Sequence, residues 1–103
     1  MDSIETKIDV NSAEYKENRD HYLKMVADLK EKVAWAQAGG GEKAIALHKE
    51  RSKMLARERI DALVDPDTPF LELNPLAGLG MYDNKAPCAG IVTGIGVVHG
   101  QEV

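Results

Sequence analysis

The residues best suited to chemistry in this 103-residue chain are cations clustered between Glu42 and Arg59. Six Lys or Arg side chains lie there against three Glu side chains, whereas the whole chain has a net charge of −4. Arg offers a planar fork of donors and Lys a point charge, so both bind phosphates and carboxylates. We call residues 42–59 the basic block and expect an anionic ligand or an acidic partner surface there. A solvated helix face is the alternative. The cations are Lys43, Lys49, Arg51, Lys53, Arg57 and Arg59.

Other residue types offer less chemistry. The run Gly39-Gly40-Gly41 before Glu42 resembles an anion-binding helix start, but it lacks the spacing of a P-loop or a dinucleotide fingerprint. A hinge between two helices is the favoured interpretation. The three histidines and Cys88 are scattered, with no metal-ligand spacing and no nucleophile–base arrangement. The sequence therefore predicts no catalytic residue and no metal site.

Composition narrows the class of protein. Hydrophobic residues make up 44% and charged residues 29%, as in ordinary globular proteins, but aromatics are only 5%, which predicts a thin core. The acidic net charge argues against a nucleic-acid partner. No apolar run approaches the ~20 residues of a membrane span. The start MDSIETKIDV resembles neither a signal peptide nor a transit peptide, so a cytoplasmic protein without a membrane partner is expected.

The pattern along the chain predicts a helical first half. Residues 1–10 look like a flexible arm and residues 11–64 like a helical segment. The first helix is predicted to begin near Asn11 and Ser12, with Asn11 and Glu14 as a capping box, and to end at the three glycines. An apolar stripe marks one face of it, and that face could dock on another part of a larger protein or on a second subunit. The stripe consists of Tyr15, Tyr22, Val26, Leu29 and Val33.

Two more helices are expected after the glycines, with a break near Lys53. The second of them, about Ala56 to Leu63, should bury Ile60, Leu63 and Val64, and the run 65–69 with its two prolines should stop it.

Residues 65–103 show strand patterns instead. We predict a strand at 70–73, a loop at 74–90, and a β-branched strand at 90–98 whose glycines admit a neighbouring backbone or a ligand. A turn at His99-Gly100 should lead into the first residues of another strand, 101–103. The fold class is thus α/β, and the open strand edge suggests a fragment of a larger domain.

Three blocks carry a family resemblance: GGGEKAIALHKERSKMLARERIDALVDPDTPFLEL, LAGLGMY and AGIVTGIGVVHGQEV. Together they resemble the start of the carboxyltransferase (beta) subunits of biotin-dependent acyl-CoA carboxylases. The methylcrotonoyl and geranyl types are closer in pattern than the propionyl type. One departure is Ser52, where the family usually has Gly. Because serine disfavours a positive φ, the break near Lys53 is expected to be less sharp.

The resemblance implies a crotonase-like fold of β-β-α units, with residues 65–103 as the truncated start of its N domain. It implies carboxyl transfer from carboxybiotin to an acyl-CoA such as 3-methylcrotonoyl-CoA, a step of leucine degradation. The biotin is carried on a partner alpha subunit, which also holds biotin carboxylase, and the full-length beta subunits form a hexamer. No metal is implied for these residues.

The resemblance also bears on individual residues. It places Arg51, Lys53 and Arg57 near the nucleotide end of CoA, as candidate CoA-binding residues. The family's oxyanion-hole glycines lie beyond Val103, so no catalytic residue carries over and the fragment alone is expected to be inactive. The alternative is a helical binding or assembly module without catalytic activity.

Overall fold

A computed structural model describes residues 3–103 of the chain. The residues form two compact units, one ending at Glu31 and one comprising Lys32–Val103. The first unit has an arm without helix or strand, followed by helix α1, Ala13–Gln37, whose last turns belong to the second unit. The helix starts where the pattern predicted, but the predicted capping box at Asn11 is wrong. The cap is Ser12, whose Oγ accepts a hydrogen bond from the Tyr15 N–H at 3.1 Å.

The apolar stripe of α1 is exposed in the first unit. Tyr22, Val26 and Leu29 keep 63%, 43% and 50% of their surface accessible. The helix therefore follows the predicted period, and the middle of its stripe stays exposed, whereas Tyr15 and Val33 are half-buried.

The second unit contains the two predicted helices, α2 at Glu42–Glu50 and α3 at Ala56–Leu63. Gly39 and Gly41 separate α1 from α2 with φ values of 79° and 93°, which glycine adopts without steric cost. The α2–α3 break is sharper than Ser52 suggested, because Ser52 itself takes a φ of 56°. The predicted burial of Leu63 is also wrong: its side chain is 62% exposed, since it lies on the outer face of α3.

Strands begin after Phe70, as the sequence predicted. Strand β1 (Leu71–Leu73) pairs antiparallel with β2 (Thr93–Ile95), and β3 (Val97–Val98) pairs antiparallel with β4 (Gln101–Glu102). The predicted single strand at 90–98 is thus two short strands in two ladders, divided at Gly96. Within the predicted loop 74–90, two short 3-10 turns form at Tyr82–Asn84 and Pro87–Gly90.

Asp65 fixes the hairpin between β3 and β4. His99 and Gly100 both have positive φ, 50° and 76°, as a two-residue type I′ turn requires. The Asp65 carboxylate accepts hydrogen bonds from both of their backbone amides, at 2.8 and 2.7 Å. The Asp65 amide donates to the Val97 carbonyl at 2.8 Å. A residue that the sequence assigned only to a helix stop therefore organises the last hairpin.

The interior of the second unit is small. Among residues 3–103 the buried apolar side chains are Ala36 and Cys88, in line with the thin core expected from so few aromatics. Phe70 packs over the two glycines at 94 and 96, which lie two residues apart and so face the same side. In the same range, no helix combines the length and apolar character needed to cross a membrane.

Candidate functional site

The basic block is spread over α2, the α2–α3 connection and α3. Arg51 follows the last residue of α2, and Lys53 lies in the connection. Both side chains are exposed. Three hydrogen bonds hold the connection against α2. The amides of Ser52 and Lys53 donate to the carbonyls of Lys49 and His48 at 2.8 and 3.3 Å, and His48 Nε2 donates to the Met54 carbonyl at 3.0 Å. Arg51 and Lys53 thus project from a constrained turn and remain accessible to an anion.

Glu58 occupies the amino end of α3. Its carboxylate accepts a hydrogen bond from the Leu55 amide at 2.8 Å, which is half of a capping box, since a leucine side chain cannot accept one in return. Lys49 pairs with the same carboxylate at 2.9 Å. These contacts, the backbone amide first, lower the pKa of Glu58. The amino end of α3 and the Lys49 side chain are therefore both already paired with the Glu58 carboxylate.

Arg57 faces inward from α3. Its Nη1 and Nη2 donate to the two carboxylate oxygens of Glu72 in β1, at 2.7 and 2.8 Å. Nη2 also lies 3.4 Å from Cys88 Sγ. The Arg57 and Glu72 side chains are only 27% and 13% exposed. This two-pronged pair links α3, β1 and the 3-10 turn that holds Cys88, and sequence spacing gave no sign of it.

The pair shifts the pKa values of both partners. Hydrogen bonding to Arg57 lowers the pKa of Glu72, against an opposing effect of burial. Hydrogen bonding to Glu72 raises the pKa of Arg57. Both groups are charged at neutral pH, so most of the Arg57 fork is committed inside the protein.

A cavity of about 440 Å³ adjoins these side chains. It lies between the glycine turn, the start of α3 and residues 85–92, and its lining includes Ile45, Leu55, Arg57 and Lys85. The volume falls in the range of small-molecule sites. The walls are largely apolar, and of the charged side chains that line them Arg57 is paired with Glu72 and Glu58 with Lys49, so the cavity favours an apolar group over an anion. Within residues 3–103 we find no nucleophile held by a base, so the arrangement can bind but does not by itself catalyse.

A family model places this arrangement among known proteins. The carboxyl transferase domain matches residues 47–103, from the last turns of α2 to Val103.

Curated relatives match over most of the chain. It is 52% identical over 83 residues to the biotin-dependent 3-methylcrotonyl-coenzyme A carboxylase beta1 subunit of Mycobacterium tuberculosis, covering 81% of this chain and 16% of that protein. It is 47% identical over 100 residues to the mitochondrial methylcrotonoyl-CoA carboxylase beta chain of Dictyostelium discoideum, covering 96% and 17%. The chain thus spans about a sixth of the length of these relatives.

A solved structure agrees in fold. The beta subunit of P. aeruginosa geranyl-CoA carboxylase superimposes with a TM-score of 0.76 at 32% identity, over 98% of this chain and 19% of that one. This likeness confirms the expected fold class, a helical first half leading into short strands of a crotonase-like carboxyltransferase.

Proposed function

The chain belongs to the carboxyl transferase family, and we propose that it forms part of the carboxyltransferase (beta) subunit of a biotin-dependent acyl-CoA carboxylase. The observation that carries the proposal is the 47% identity to a methylcrotonoyl-CoA carboxylase beta chain across 96% of the chain. In the proposed reaction, the carboxyl group of carboxybiotin passes to an acyl-CoA, with 3-methylcrotonoyl-CoA as the preferred acceptor and geranyl-CoA as the competing one. The methylcrotonoyl acceptor corresponds to a step of leucine degradation.

The proposal includes partners and a location. A partner alpha subunit with biotin carboxylase and the biotin carrier delivers the carboxylated biotin, and the full-length beta subunit assembles into a hexamer. A cytoplasmic location stays a prediction, since the Dictyostelium relative is named as a mitochondrial protein.

Carboxylation assays test the function. A full-length subunit containing these 103 residues, mixed with the alpha subunit, ATP and bicarbonate, is expected to carboxylate 3-methylcrotonoyl-CoA faster than geranyl-CoA. The 103-residue chain in its place should give no transfer, because it spans about a sixth of its relatives and no catalytic group is assigned to it. Failure of the full-length subunit with every acyl-CoA offered would refute the proposal, whereas a preference for geranyl-CoA would correct only the acceptor.

Within this function we propose that the basic block binds the phosphates of CoA. The exposure of Arg51 and Lys53 on a constrained turn supports this role. Arg57 was expected to share the role, and that remains a prediction. Its two hydrogen bonds to Glu72 favour a contribution through positioning of α3.

Removing either exposed cation should weaken acyl-CoA binding modestly. We expect Arg51→Ala or Lys53→Ala in the full-length enzyme to raise the KM for acyl-CoA by a factor of about 1.4 to 5, because an exposed ion pair contributes roughly 0.2–1 kcal/mol. The effect should shrink as salt is added. Lys24→Ala, an exposed cation outside the block, is the matched control and should leave KM unchanged. An unchanged KM together with a lower melting temperature would show that the block is structural.

A further inference from the structure

Acidic side chains and most basic side chains lie on different faces of helix α1. If Tyr15, Tyr22 and Leu29 take position d of a heptad, Val26 takes position a, the pattern of a coiled-coil seam. All five acidic residues of the helix then lie at positions b, c and f, away from the seam. They are Glu14, Glu17, Asp20, Asp28 and Glu31.

Cations border the seam instead. Lys16 and Lys30 fall at position e, and Arg19 falls at position a within the seam, so these three lie toward one edge of the apolar stripe. All three side chains are exposed. At position e between Lys16 and Lys30 lies Leu23, which is 49% exposed and widens the apolar face on that edge. The face is therefore apolar with one basic edge.

We propose that this face of α1 docks an amphipathic helix of a partner protein whose apolar stripe is bordered by carboxylates. Charge complementarity selects this occupant, since Glu or Asp side chains beside the partner's stripe would meet Lys16, Arg19 and Lys30. The apolar contacts supply the affinity, and the ion pairs fix partner choice and orientation, as the e and g positions of coiled coils do. This interaction surface is separate from the proposed carboxyltransferase activity.

Two other occupants fit the charges less well. A second copy of α1 would bring cations together in either orientation: the two basic edges would meet in an antiparallel pair, and the two Arg19 side chains would face each other at position a in a parallel pair. A membrane surface would gain little, because the five acids of α1 are balanced by five bases, whereas surface-binding helices combine an apolar face with a net positive charge.

Binding of two designed peptides tests the proposal. Both are helices of about 20 residues with one shared Leu/Ile seam, one edged with Glu and the other with Lys. Titrated at low salt against a full-length subunit that contains these residues, the Glu-edged peptide should bind about tenfold tighter, since three pairs of roughly 0.5 kcal/mol amount to that ratio. High salt should remove most of the difference.

Variants of α1 separate the apolar and the charged contributions. Val26→Asp should abolish binding of both peptides, and the triple change Lys16→Glu/Arg19→Glu/Lys30→Glu should invert the preference. Lys24→Glu, on the opposite face, should leave the affinity for both peptides unchanged. Far-UV circular dichroism checks that each variant keeps its helix. Equal affinity for the two peptides would overturn the proposal. So would self-association through this face in sedimentation, or stronger binding to phosphatidylserine vesicles than to the Glu-edged peptide.

Discussion

Replacing Arg57 by methionine is expected to lower the free energy of unfolding by about 2–4 kcal/mol. The substitution keeps much of the side-chain volume but removes both donors to Glu72, whose side chain is only 13% exposed. Without Arg57, the partly buried Glu72 carboxylate loses its contact with water and gains no partner in exchange. Removing one member of the pair therefore destabilises the fold by more than the intact pair stabilises it. Urea unfolding followed by far-UV circular dichroism at pH 7 measures the effect.

Arg59→Met is the matched control. Arg59 lies on the same helix two residues later with an exposed side chain, so its loss should change stability by less than about 0.5 kcal/mol. The double variant Arg57→Met/Glu72→Leu should recover part of the loss, because it leaves neither charge unpaired. If Arg57→Met lowered the free energy of unfolding no more than Arg59→Met does, the Arg57–Glu72 pair would stabilise the fold no more than a surface contact.

The same pair makes a pH prediction. The pKa of Glu72 is lowered in the folded state, so its contribution is complete above its unfolded pKa and is lost as the pH falls through the lower folded value. The difference between wild type and Arg57→Met should therefore be constant near neutrality and shrink below roughly pH 4. A difference that stayed constant down to pH 2 would assign the loss to packing of the arginine stem.

Much of the local fold could be read from the sequence. The limits of α3 follow from the predicted break near Lys53, where the apolar pattern changes at Met54-Leu55, and from the two prolines of the run 65–69. The turn at 99–100 follows from a glycine between two short β-branched or polar strands. Each of these signals lies within a few residues of the feature that it predicts, so the local sequence was enough to place it, although Asp65 also holds the turn at 99–100 from a distance.

The features that escaped prediction depend on contacts between distant residues. Arg57 and Glu72 are 15 positions apart and Asp65 and His99 are 34 apart, so no spacing rule reveals either pair. Arg57 was grouped with Arg51 and Lys53 because charge alone is visible in a sequence. Which cations turn inward is decided by the packing of α3 on β1. The positive φ of Ser52 was missed for a different reason, since the local hydrogen bonds of the turn, such as that from the Ser52 amide to the Lys49 carbonyl, outweighed the conformational preference of serine.

The second large effect is expected at Gly94, directly opposite Glu72 in the β1–β2 ladder. A Cβ added there would overlap the ring of Phe70 and lie 2.6 Å from the Leu71 carbonyl oxygen, which belongs to the backbone of the paired strand. The ring can rotate, but the carbonyl cannot move without breaking the ladder. Gly94→Ala should therefore lower the free energy of unfolding by about 2–3 kcal/mol, measured by urea unfolding of the variant beside wild type.

Gly40→Ala is the control that tests whether lack of room for a Cβ causes the loss of stability in Gly94→Ala. Neither Gly40 nor Gly94 has a positive φ, but a Cβ at Gly40 would meet only the Ala44 Cβ at 3.8 Å, an ordinary contact. Gly40→Ala should thus be neutral or slightly stabilising, because alanine reduces the freedom of the unfolded chain. Adding Phe70→Leu to Gly94→Ala should not restore stability, since the overlap with the Leu71 carbonyl remains. Equal effects of the two glycine replacements would show that the close approach of β1 to β2 is not what requires glycine at position 94.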